Sequence, residues 1–75
     1  MHTEIITDID TGETDIKRYV TTVPEGRYAR HTVFRKNLVT GALSLERLTV
    51  VRRHGSLERA HEEFLAYGTL EEGGL

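Results

Sequence analysis

The sequence predicts an α+β fold: an antiparallel four-stranded β-meander closed by one C-terminal α-helix packed on one face of the sheet. Three observations predict it. Glycine-bearing turn signals recur at strand-length spacing, the runs between them are rich in Thr, Val, Ile and Tyr, and helical periodicity takes over at Ser56.

The strands are expected near 3–9, 14–23, 27–37 and 42–53. Asp10-Thr11-Gly12 suits a three-residue hairpin loop with Gly12 in the left-handed position. If Ile9 then faces Glu13, Ile6 faces Ile16 and Glu4 faces Arg18, an apolar pair and an opposite-charge pair. Val23-Pro24-Glu25-Gly26 fits a type I turn with Pro24 in its second position. Thr40-Gly41, after Asn37, closes the third connection. For the helix, Ser56 is a good N-cap because its hydroxyl can take an orphan backbone N–H. Leu57, Ala60, Phe64 and Tyr67 recur at spacings of three, four and three along one face. Glu58 lies where the helix dipole favours an anion, and Gly68 supplies the stop. Residues 1–68 therefore read as a single domain, and 69–75, with Glu71-Glu72-Gly73-Gly74, as a flexible tail.

A chain of 75 residues can build only a small core. It has no cysteine, so neither disulfides nor thiolate metal sites reinforce that core, and a reducing compartment suits it. Self-association or a bound partner is the natural supplement. The start, Met1-His2-Thr3-Glu4, lacks a basic region followed by an apolar run, and apolar stretches such as Ile5-Ile6 and Val50-Val51 are far too short for a membrane span. A cytoplasmic location is the expectation. The net charge of −2 hides a segregation: Glu4, Asp8, Asp10, Glu13 and Asp15 open the chain without a base, whereas nine bases crowd residues 17–54 against Glu25 and Glu46.

Motifs for familiar chemistry break off early. Asp8-Ile9-Asp10-Thr11-Gly12 begins like a calcium loop, but the fifth position is Gly12, the twelfth is Tyr19, and strands flank it. His61-Glu62 opens like a zincin helix, yet Leu65 stands where the second histidine belongs. His31, His54 and His61 would bind metal only if the fold gathered them, so no metal or cofactor is expected. Ser44 and Ser56 sit in no nucleophile elbow, and Gly73-Gly74 cradles no phosphate. What remains is basic. Arg27, Arg30, Arg35, Lys36, Arg47, Arg52 and Arg53 fall on the third and fourth strands and their ends, where they could grip phosphates while Tyr28 and Phe34 stack on bases. The overall pI of about 6 lacks the excess of a dedicated nucleic-acid domain.

Two resemblances bear on function. Thr32-Val33-Phe34-Arg35, followed after a turn by Arg53-His54-Gly55-Ser56-Leu57-Glu58-Arg59-Ala60-His61-Glu62, resembles small orphan proteins of actinobacterial bacteriophages, which implies a phage or mobile-element origin and no particular activity. Arg30-His31-Thr32-Val33-Phe34-Arg35 with Leu48-Thr49-Val50-Val51-Arg52-Arg53-His54-Gly55 is similar to two strands of endoribonuclease toxins with a double-stranded-RNA-binding-like fold. That likeness implies His31 as general acid or base beside phosphate-holding arginines. The toxins open with a helix where this chain has an acidic hairpin, and Ala29-Arg30 replaces their glycine-serine pair. The leading expectation is a non-catalytic binding protein, phage-encoded, that docks on a host protein through an exposed strand edge or sheet face. Nucleic-acid binding by the basic strands is the alternative, and the toxin a further one.

Overall fold

The computed structural model describes residues 3–68. Four strands, β1 (Ile5–Asp10), β2 (Ile16–Glu25), β3 (Tyr28–Asn37) and β4 (Leu43–Arg52), form one antiparallel sheet in the order β1-β2-β3-β4. The helix α1 (Leu57–Glu63) follows and widens into a π-helical turn at Phe64–Gly68. This is the four-stranded meander with one covering helix. The tail expected at 69–75 lies outside the described residues.

Ser56 caps α1 as anticipated: it has extended backbone geometry, and its Oγ accepts the Arg59 N–H at 3.1 Å. The helix packs chiefly over β2 and β3. Val20, Val33 and Phe64 make the core between the layers, with Ile9 and Leu65 against it, and Ala29 and Leu57 are also buried. Tyr67 departs from the expected stripe. The π turn adds a residue to the helical repeat, so the side chain after Phe64 in the series rotates off the packing face, and Tyr67 is exposed.

The register of the first hairpin also differs from the sequence reading. Ile6 pairs with Thr21 and Ile9 with Arg18, and the last pair is Asp10 with Lys17. The connection, Thr11–Asp15, is longer than three residues because side chains satisfy its backbone. Asp10 Oδ1 accepts the Gly12 N–H at 2.9 Å, while Thr11 Oγ1 accepts from Glu13 N and donates to the Ile16 carbonyl. Gly12, at φ +84°, makes that path open to the chain.

The expected type I turn at Val23–Gly26 is replaced by a tighter one. Glu25 pairs with Tyr28, leaving Gly26-Arg27 as a two-residue loop. Gly26 has φ +61° and no described non-glycine residue, Arg27 included, has positive φ, so this is a type II′ turn, whose twist matches that of the flanking strands. Pro24 thus lies inside β2. It is tolerated because β1 stops pairing at Thr22, so no neighbour on that side needs its missing N–H.

One irregularity matters for the site. Val33 pairs with Arg47 but Phe34 with Leu45, so Glu46 is an extra, bulged residue. Its carboxylate accepts from Arg18 Nε at 2.7 Å and reaches Arg35 at 4.0 Å. Arg18 and Arg35 are cross-strand partners, and the bulge places an anion between two like charges that would otherwise repel.

Candidate functional site

Beneath the helix runs a chain of hydrogen bonds that crosses three strands. His61 Nε2 lies 2.7 Å from Thr7 Oγ1 on β1, and its Nδ1 lies 2.5 Å from Thr22 Oγ1 on β2. Thr22 Oγ1 also meets His31 Nδ1 on β3 at 2.8 Å. Thr22 is fully enclosed and His31 is 2% exposed. A hydroxyl carries one proton, so when Thr22 donates to one ring it accepts from the other, and the tautomers of His31 and His61 are tied together. His31 also stacks on Phe64, 4.2 Å between ring centroids and 9° from parallel. Burial, reinforced by the charge His61 would carry, lowers the His31 pKa from 6.5 to about 4. Burial likewise lowers that of His61, with Glu62 opposing. Both rings are neutral at pH 7, and the chain Thr7–His61–Thr22–His31 locks α1 across the sheet.

Because the helix sits over β2 and β3, it leaves an open cleft of about 270 Å³ above β3 and β4. Ala29, Val51, Ala60, Phe64 and Tyr67 give it apolar walls, while Arg47, Thr49, Arg52, His54 and Glu63 add polar groups. The Arg47 guanidinium lies 5.6 Å from the Phe64 ring centroid, a cation–π contact that holds its charge at the cleft floor. Glu63 turns towards Arg59, 3.3 Å away, so the carboxylate on the wall is already matched. No buried polar side-chain atom among the described residues lacks a partner, and His31, its Nδ1 held by Thr22, also lines the cleft. β4 bounds this cleft as an edge strand, exposed along nearly its whole length.

Among the described residues, no element covers the opposite face of the sheet. By the pairing register it carries Ile6 from β1, Tyr19 and Val23 from β2, Phe34 from β3, and Leu45, Leu48 and Val50 from β4. Ile6, Leu45, Leu48 and Val50 are exposed there. Lys17, Glu25, Arg30 and Lys36, with Thr21 and Thr32, are interleaved among them, and an exposed face of this mixed kind can serve as an interaction surface.

The basic residues named from sequence divide between these surfaces. Pairing puts Arg30 and Lys36 on the uncovered face, with Tyr28 and Phe34, but Arg35 and Arg47 on the helix side. Arg30 lies 3.6 Å from Glu25, and Arg35 is shared between Glu13 and Glu46. Arg53 donates to the Gly26 carbonyl at 3.1 Å, bracing the type II′ turn beside Arg27. Arg52 reaches the cleft rim. The anticipated cluster is thus broken up: Arg47 lies at the cleft floor, while Arg52, which pairs with Tyr28 and so belongs by register to the uncovered face, borders the cleft only at the end of β4. Of the histidines, His31 and His61 are joined through Thr22, while His54 stands at the cleft rim. No group of three metal-ligating side chains occurs among the described residues. No described helix is long and apolar enough to cross a membrane. The chain matches no family model, no curated protein and no solved structure.

Proposed function

We propose that this is a small, non-catalytic binding protein, phage-encoded, that captures an extended acidic segment of a host protein along β4 and the cleft beside it. The observation that carries this reading is the pairing of an open strand edge with a cationic, apolar-walled cleft. A strand that adds to β4 gains a ladder of backbone hydrogen bonds, and its alternate side chains project towards Thr49, Val51 and Tyr67. Arg47, Arg52 and His54 favour carboxylates on that segment.

The state of His31 supports a binding role over the nuclease one. A ring held neutral and almost wholly enclosed is a weak proton acceptor near pH 7. The distribution of the arginines weighs against nucleic acid, because a phosphate backbone needs cations on one surface, and here Arg30 and Arg35 face opposite ways.

Affinity capture from host lysate with quantitative mass spectrometry tests the proposal. The wild-type chain should retain one protein in stoichiometric amount, cross-linked through an acidic stretch. Arg52→Glu combined with His54→Glu, both at exposed positions, should abolish retention. Absence of a stoichiometric partner, or equal retention by the double variant, would overturn it.

A further inference from the structure

We propose that the uncovered sheet face is covered by a second copy of the chain, forming an isologous β-sandwich dimer. The face is large enough. Three strands of ten residues and one of six, about 4.8 Å apart and at about 3.4 Å per residue, present roughly 600 Å² per copy, or about 1,200 Å² in all, where stable interfaces begin. The slab gains from the cover, since the buried apolar residues among those described are Val20, Ala29, Val33, Leu57 and Phe64.

The face is also complementary to itself. Thr21, Thr32 and Leu48 form one row across three strands. Two small threonines at the centre allow close approach. A two-fold axis along that row, perpendicular to the strands and midway between the sheets, lays each strand antiparallel over its own copy. Residues two before and two after the row then exchange places. Tyr19 meets Val23, and Phe34 meets Arg30, an aromatic face beneath a guanidinium. One step further out, Lys17 meets Glu25. The charges that β2 and β3 carry on this face thus meet an opposite charge or an aromatic ring, the outermost pair on β3 being Lys36 with Tyr28, whereas at the flanks Asp8 meets Glu4 and Arg52 meets Leu43. An unrelated apolar partner would offer Lys36 no such ring, whereas Lys17 and Arg30 keep Asp8 and Glu25 beside them in their own sheet.

Light scattering and cysteine cross-linking test this in the full-length chain, which has no native cysteine. The wild type should run at twice its 8.5 kDa. Thr32→Cys lies near the axis and should oxidise to a disulfide-linked dimer. Lys36→Cys lies about 27 Å from its own copy, at about 3.4 Å per residue, and should stay reduced. Leu48→Glu should give a folded monomer, judged by circular dichroism. A monomeric wild type at 100 µM or so overturns the proposal, whether or not it binds RNA through this face. Equal oxidation of both cysteine variants also overturns it, because it signals unordered association.

Discussion

Lowering the pH from 7 to 5 should weaken the fold through His31. In the unfolded chain the ring titrates at its ordinary 6.5, whereas in the folded protein burial holds it near 4. Protons therefore bind the unfolded state more tightly, and stability rises with pH across the interval between the two values. The contribution is complete above 6.5 and is lost as the pH falls towards 4. At about 1.36 kcal/mol per pH unit, the interval is worth about 3 kcal/mol, of which about 2 kcal/mol is lost by pH 5. His61, whose pKa is lowered in the same direction, adds to the loss. For a small domain this is a large share of the whole. Urea unfolding followed by circular dichroism at pH 7, 6 and 5, at one protein concentration, should show the midpoint falling with pH. Proton NMR should show the His31 ring untitrated above about pH 5, well below its reference value. A flat midpoint, or a His31 resonance titrating near 6.5 in the folded protein, would refute the reasoning.

Two further outcomes follow from the same layer. Thr22→Val removes the oxygen shared by His31 and His61, leaving a nitrogen on each ring without its partner, and should cost about 2–6 kcal/mol by urea unfolding, at about 1–3 kcal/mol for each buried group stranded; Thr22→Ser should recover most of it. Phe64→Ala deletes the ring that closes the core and stacks on His31, and should cost about 3–5 kcal/mol while freeing Arg47 of its cation–π contact, which heat denaturation can follow.

The fold was legible because its determinants are local. Turn glycines, β-branched runs and the Ser56 cap each act within a few residues, and all point to the same elements. Register was not, since it depends on side chains that stitch loops. Thr11 and Asp10 lengthen the first connection, and nothing in the spacing of apolar residues records that. The role of His61 could have been found. Leu57, His61 and Phe64 stand at i, i+4 and i+7, a better-packed stripe than one through Ala60 and Tyr67, but a search restricted to apolar residues passes over histidine. The splitting of the arginines was half visible. Arg30 and Arg35 differ by an odd number along β3, so they face opposite ways in any regular strand. The bulge at Glu46, which brings its carboxylate to Arg18, left no such trace.

The two open surfaces have one geometric origin. A helix is about 10 Å across and strands lie about 4.8 Å apart, so one helix covers roughly two strands of a four-stranded sheet. Which two is decided by hydrogen bonding. His61 reaches Thr22 and Thr7, on β2 and β1, and this draws α1 away from β4. The cleft over β4 is thus the direct consequence of a network anchored at the other side of the sheet. The uncovered face follows because the described chain supplies no second helix. Their chemistries then diverge. Strand alternation sends Leu48 and Val50 to one side and Arg47 to the other, and the bulge at Glu46 brings Leu45 onto the apolar side, so an apolar surface backs a cationic one on the same strand. A dimer through the first leaves both copies of the second facing outward, and a divalent protein holds a partner with two such segments far more tightly than either cleft alone would.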